Sequence, residues 1–472
     1  MDGSSSDIRQ RIEDWFKVHS DKMVEDLGRL VSVRSVKGPQ GEGEPYGPGS
    51  REALRLAGSI LEEQGFSVSE FEDMVITSDF GAQPMEMGIL AHLDVVDAGE
   101  GWDTDPYKLH VKEGIMLGRG VVDNKGPAVA AIYAMRCARD LLRQPARGFR
   151  LILGSGEESG CDDIENYLGK NAPPRHVFTP DAEYPVVNTE KGRAAVFFGA
   201  SWDKETTLPR VVSIDGGKTM NVVPNRAEAV VEGFTVKEVE MFCMVSAART
   251  GTKITVHAGE RGEVITVEGR SAHAASPENG VNAQTALLDM LANMPLAPGR
   301  GFDHICALNR LFPHGEHSGK ALGIAMGDDI TGALTVNFGV LRFTETDFAA
   351  NLDSRTPACA DEVDLLGMFR SAFEKEGVAL TNSRMTKCHH TPEDSPFIKT
   401  LLRIYNDYMG EPGHCLAVGG QTYVHGVPGG VAFGIERSGA DNNIHGANEF
   451  LSIEQFTLDA RMFAQAIIDI CG

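Results

Sequence analysis

The chain has 472 residues, 42% of them apolar and 24% charged, and a formal net charge of −23. That length exceeds one ordinary hydrophobic core and predicts two domains, while the acidic balance argues against nucleic acid, whose phosphates require Lys and Arg. The eight cysteines are scattered singly with no Cys-x-x-Cys pair, so neither a zinc finger nor a disulfide framework is expected; with a polar N-terminus and no apolar run of membrane-spanning length, a soluble, cytoplasmic protein without membrane partners is.

In chain order, Ile8 to Val33 carries apolar residues at helical spacing (Ile8, Ile12, Trp15, Phe16, Met23, Leu27, Leu30) and predicts helix, broken in two near His19. Residues 38–49 are rich in Gly and Pro and predict a loop, and 51–64 a helix closed by Gly65. Strands are predicted over 66–78 and 85–93, the second apolar enough to be buried on both faces. Residues 125–142 predict a helix, 149–154 a strand, 164–170 a helix and 176–179 a strand. This alternation predicts a mostly parallel sheet with helices on both faces.

From about Glu190 the texture changes. Strand patterns at 194–200, 227–234, 253–257, 263–268, 333–344 and 349–355 surround one predicted helix, 281–293, and read as an α+β insert with antiparallel sheets. A helix over 391–409, a buried strand over 429–435 and a closing helix over 453–470 return to the first texture. The expected organisation is a catalytic domain in two segments, 1–189 and 388–472, interrupted by a large lid domain, 190–387.

Four short stretches carry the chemistry. His92-Leu93-Asp94 follows an apolar run, and period-two alternation puts its imidazole and carboxylate on one side of an extended chain; Asp94 could then fix the tautomer of a metal-binding His92, although two polar residues leaving a strand would look the same. Glu157-Glu158 follows Leu151-Ile152-Leu153. Two adjacent carboxylates repel unless cations compensate, and in an extended backbone they point apart, so that one can bind metal while the other serves as a general base. Asp181 follows Pro180 in a sharp turn and could reach a metal or cap the turn. Asp123 lies in the glycine-rich stretch Gly118–Gly126, and at the carboxyl edge of an open α/β sheet such stretches share one crevice.

Taken together, His92-Leu93-Asp94, Asp123-Asn124-Lys125-Gly126, Glu157-Glu158-Ser159-Gly160, Pro180-Asp181-Ala182-Glu183 and His445 resemble, in order and approximate spacing, the metallopeptidases of the aminoacylase/carboxypeptidase G type. Gly99 to Pro106 and Pro-Asp-Ala-Glu-Tyr-Pro look most like the peptidase V-like dipeptidases. The resemblance implies two divalent ions, zinc by default with manganese possible, bridged by Asp123. One ion would add His92 and Asp181, the other Glu158 and His445, with Glu157 as general base and Asp94 orienting His92. It also implies a cis peptide between Asp123 and Asn124.

The same resemblance assigns substrate roles. His273, in Gly-Arg-Ser-Ala-His-Ala-Ala-Ser-Pro, and Asn221, in Met-Asn-Val-Val-Pro, match lid positions that stabilise the oxyanion. Arg355, in Asn-Leu-Asp-Ser-Arg-Thr-Pro, matches the arginine that grips the substrate carboxylate, and Gly420 and Thr422 match a glycine-rich loop offering backbone N–H groups. Here the chain departs from the pattern, with Gln421 where a third glycine is usual. The expected activity is metal-dependent dipeptide hydrolysis by a monomer, since the large lid could supply what a second subunit gives dimeric relatives. The alternatives are an N-acyl amino acid deacylase or desuccinylase of the same clan, or a non-catalytic peptide-binding relative.

Overall fold

The computed structural model describes residues 2–142 and 144–472. The chain divides into two compact units: Met1–Thr189 with His390–Ala417 and Gln421–Gly472, and Glu190–His389 with Val418–Gly420.

The first unit is built on a mixed sheet. Its centre, Gly148–Gly154, Met85–His92, His176–Thr179 and Val431–Ala432, is parallel, as the alternating texture predicts. The flank is not. Val68–Phe71 and Val75–Phe80 form an antiparallel pair, and Val75–Phe80 runs antiparallel to Gly148–Gly154. The turn between the two flanking strands holds Glu72 and Asp73 at positive φ, and so short a connection permits only a hairpin. The central strands bury both faces. Ile89, Ala91, Leu151 and Leu153 enter the large core on one side, while Leu90 and Ile152 join Ile164, Tyr167 and Tyr423 on the other. Helices Asp2–Val31, Lys125–Leu142 and Ile453–Cys471 pack against one another over the large core.

Asp2–Val31 is one helix, not the two expected. The polar run at His19 contains no Gly or Pro to break it, and the His19 ring stacks on Trp15 with centroids 3.8 Å apart while Nδ1 meets the Trp15 carbonyl at 2.7 Å.

The second unit is an eight-stranded sheet in the order Lys253–Ala258, Glu263–Glu268, Arg226–Glu232, Arg210–Gly216, Thr335–Phe343, Asp347–Thr356, Gly192–Ser201, Ala379–Thr386, antiparallel throughout. Besides Ala283–Ala292, which the sequence predicts, it carries the helices Val236–Thr250, Arg300–Leu311 and Glu362–Lys375. The first of these was hidden by apolar residues on its outer side, Met241, Met244 and Val245. Its start was legible: the Glu238 carboxylate accepts from the Thr235 N–H at 2.8 Å, a capping box.

Candidate functional site

His92 closes the central strand Met85–His92 and is fully buried. Its Nδ1 lies 3.0 Å from the Asp94 carbonyl and 3.3 Å from Asp94 Oδ1. Asp94 reaches further than the sequence suggested, because its carboxylate also accepts the backbone N–H of Glu157 at 3.3 Å and of Glu158 at 3.0 Å. One side chain therefore ties the histidine to the acidic pair.

Asp123 does not end a strand of the large sheet. It sits in the turn that leads into the helix Lys125–Leu142, and the Asp123–Asn124 peptide is cis. The turn is tight, since a methyl on Gly126 would run into the Val121 carbonyl. Asp123 Oδ1 faces His92 Nε2 at 3.0 Å and Oδ2 faces His445 Nε2 at 2.8 Å. Asp181 Oδ1 lies 3.6 Å from His92 Nε2 and is held by the Asn124 side-chain amide at 2.9 Å. Glu158 Oε1 lies 3.1 Å from His445 Nε2.

Glu157 and Glu158 are not extended. They open a single 3-10 turn, Glu157–Ser159, closed by Gly160 at φ 115°. Successive residues of such a turn are about a third of a turn apart, so the two carboxylates still diverge. The turn is anchored by Asp163, which accepts the N–H groups of Ser155 and Gly156 at 2.8 and 2.9 Å and the Tyr423 hydroxyl at 2.6 Å.

Two ligand sets converge: His92, Asp123 and Asp181, and Asp123, Glu158 and His445, each with its donor atoms within 4.8 Å of one another. Electrostatics show what the sets lack. Burial together with the charges of Asp181, Glu158 and Asp123 pushes Glu157 well above the usual carboxylate range, and burial beside Asp123 pushes Glu158 up to about 6. Hydrogen bonds to Asp123 and Glu158 push His445 up to about 11. Against its own burial, His92 is raised by Asp181 and Asp123. The acids thus draw protons onto both imidazoles in place of other positive charge. His92 Nε2, buried and facing two carboxylates, makes no hydrogen bond. Neutral imidazole and carboxylate donors arranged this way fit a pair of divalent cations.

The sequence assigned no role to Glu449. Glu449 is fully buried and accepts from Arg119 Nη1 at 2.7 Å and from the N–H groups of Gly120, Val122 and Asp123 at 3.0, 2.8 and 3.1 Å. It holds the Asp123 turn in place. The available signal was a second acid four residues beyond His445 in a segment rich in turn residues, too common a pattern to single out.

Of the remaining residues, Asn221 and His273 lie exposed on neighbouring segments of the second unit, joined by a bridge between Val222 and His273. Arg355 is only 4% exposed; its Nε donates to Asp353 Oδ1 at 2.8 Å and Nη1 to the Gly419 carbonyl at 2.6 Å. Part of its guanidinium is therefore committed within the second unit, the alternative to a free carboxylate grip. Gly420 also belongs to the second unit. Thr422 lies in the first, where its hydroxyl accepts from Val424 N–H at 3.4 Å and caps the short turn Tyr423–Gly426.

The comparisons with known proteins agree on one family. Residues 88–469 match the model of peptidase family M20/M25/M40. The chain is 31% identical over 454 residues to the putative dipeptidase YtjP of Bacillus subtilis, covering 95% of this chain and 97% of the relative. It is 30% identical to a Beta-Ala-Xaa dipeptidase of Lactobacillus delbrueckii subsp. lactis, covering 95% and 96%. Among solved structures, human carnosine dipeptidase 1 has the same fold with a TM-score of 0.58 at 13% identity, covering 98% of each chain; the di-peptidase Dug1p of Saccharomyces cerevisiae gives 0.57 at 14%, covering 99% and 98%. With a family match across most of its length and full-length relatives at this identity, the chain belongs to peptidase family M20/M25/M40.

Proposed function

We propose that the protein hydrolyses dipeptides with the help of two divalent ions. The observation that carries this reading is the division of the Asp123 carboxylate, one oxygen toward His92 and Asp181 and the other toward His445 and Glu158. His92, Asp123 and Asp181 would hold one ion, and Asp123, Glu158 and His445 the other. When bound, such ions, zinc by the donor chemistry with manganese as second fit, polarise the scissile carbonyl and lower the pKa of water.

Glu157 belongs to neither ligand set, yet its backbone is pinned beside Glu158 by Asp94. It takes the proton from the attacking water on its carboxylate and delivers it to the nitrogen of the departing amine. His273 and Asn221 donate to the developing oxyanion. Arg355, with Gly420 and Thr422, recognises the terminal carboxylate and so measures substrate length. The single-chain eight-stranded sheet of the second unit supports a monomer. Among the described residues no helix is long and apolar enough to cross a membrane.

The test is a panel of dipeptides and N-acyl amino acids offered to protein stripped of metal and reloaded separately with zinc, manganese and cobalt. Metal-dependent cleavage of dipeptides in preference to N-acyl amino acids is expected. Preference for the latter identifies a deacylase, and binding without cleavage by any metal form refutes an enzymatic role.

A further inference from the structure

Asn337 lies on the strand Thr335–Phe343, 2% exposed, just before the register shift between Phe338 and Val340. Its side-chain amide Nδ2 donates to the Met220 carbonyl at 2.9 Å and to the Val222 carbonyl at 3.1 Å. Those are the carbonyls on either side of Asn221. Two carbonyl acceptors fix which end of the carboxamide faces them, because only the NH2 can donate. Its other end, Oδ1, is buried with no hydrogen-bond partner. An orphaned buried oxygen is a burden on stability, so what distinguishes an asparagine here from an apolar residue is the double donation.

The clamped segment in turn supports the neighbouring one. The Asn221 carbonyl accepts from Ala274 N–H at 2.9 Å, the Ala272 carbonyl accepts from Val223 N–H at 2.9 Å, and Val222 bridges to His273. The fit beneath is close: a methyl on Gly339 would stand 2.7 Å from the Met220 Cα. The strand bearing Asn337 and the segment bearing Asn221 thus touch without slack, and a single side chain holds the carbonyls of the residues before and after Asn221, the first of them in the peptide group that leads into it.

We propose that Asn337 is a positioning residue for the reaction, holding Asn221, and through it the His273 segment, in the geometry that meets the oxyanion. This rests on the reading of Asn221 and His273 as oxyanion donors. Loss of the clamp should cost turnover more than substrate binding, since oxyanion donors act mainly in the transition state.

The experiment is a double-mutant cycle on the metal-loaded full chain, with kcat and KM measured on one dipeptide for N221A, N337D and N221A/N337D, and folding checked by circular dichroism. N337D keeps the size of the side chain and replaces the NH2 that serves both carbonyls by an oxygen that donates to neither when ionised and to one at most when protonated. Expected are a fall in kcat of about 100-fold for N221A, a fall of about 10-fold or more for N337D with KM within about threefold, and no further fall when N337D is added to N221A. N337S, which retains one donor, should fall between wild type and N337D; if N337D does not fold, N337S takes its place in the cycle. Additive losses, or a wild-type kcat in N337D and N337S while N221A is impaired, overturn the positioning role and leave the reading of Asn221 standing. A wild-type kcat in N221A overturns that reading itself, and the positioning role with it.

Discussion

Glu449 offers the sharpest test of how the Asp123 turn is held. In E449Q the side chain keeps its shape but loses its charge and presents an NH2 to donors it formerly satisfied. Arg119, only 1% exposed, keeps its positive charge, and whichever way the carboxamide turns, either Arg119 with Gly120 N–H or Val122 with Asp123 N–H faces another donor. Each buried group left unsatisfied costs about 1–3 kcal/mol, and removing one partner of a buried ion pair costs about 3–5 kcal/mol. These costs overlap, because the same atoms enter both, so the expected loss is about 3–5 kcal/mol rather than their sum. The assay is urea unfolding of wild type, E449Q, R119M and the double variant. R119M/E449Q should be destabilised by at least about 1–2 kcal/mol less than the two single losses combined, since removing both charges leaves none buried alone. With the carboxamide oxygen kept toward the charged Arg119, the NH2 faces Val122 and Asp123; Asp123 N–H then loses its acceptor, and metal affinity should also fall, by about 10–100-fold as for other supports of a metal ligand. A loss below about 1 kcal/mol in E449Q, or strict additivity with R119M, would refute the argument that this pair is the clamp.

Three further outcomes are expected. E157Q should lower kcat by about 1,000-fold or more while the metal content, measured by elemental analysis, stays at the wild-type level. A chelator should abolish hydrolysis and lower the melting temperature, and added zinc or manganese should restore both, because ions that bind only the folded chain stabilise it. His304, packed between Trp202 and Phe348 in the second unit, is shifted below its ordinary value by burial. Below the ordinary histidine pKa the unfolded chain therefore binds a proton that the folded chain resists, so stability is lost as pH falls through that value; H304Q should show a shallower loss between pH 7 and 5 in urea unfolding, by less than about 1.4 kcal/mol per pH unit given solvent screening. Equal slopes in the two proteins would refute that linkage.

His92 and Glu158 each follow an apolar run, Asp123 lies in a glycine-rich stretch and Asp181 follows a proline, but each signal is common on its own; the ligand sets, His445 above all, were legible only through the resemblance of the whole series of motifs. Local signals fail where geometry is set from a distance. The 3-10 turn at Glu157 closes on the neighbouring Gly160, but what holds it there includes Asp94 and, through Asp163, Tyr423, both distant in the chain. The helix Asp2–Val31 runs through His19 because ring stacking on Trp15 compensates a polar stretch that looks like a break. The helices Arg300–Leu311 and Glu362–Lys375 were lost among strand patterns because their apolar positions serve a sheet core rather than a helix bundle. The mixed character of the first sheet comes from one hairpin turn, at Glu72 and Asp73, that carries neither Gly nor Pro, and from antiparallel pairs between segments distant in the chain, Val75–Phe80 with Gly148–Gly154 and Val431–Ala432 with Val186–Glu190.

The arrangement of positive groups around the site argues in the same direction as its ligands. Two basic side chains of the Asp123 turn, Arg119 and Lys125, are turned to other tasks. Arg119 is spent on Glu449 and on the Gly446 carbonyl at 2.9 Å, and Lys125 points its ammonium to the Val33 carbonyl at 2.6 Å, where burial brings it down to about 7. Arg119 forms its ion pair with Glu449, not with an acid of either ligand set. A site meant to be neutral would have used these side chains against its acids, since an opposite charge within hydrogen-bonding range is the cheapest way to keep buried carboxylates ionised. Here they brace the backbone of the Asp123 turn and its neighbours instead, and the concentrated negative charge is left facing the two histidines. Such a surplus fits divalent cations, which would take the place of the protons drawn onto the imidazoles.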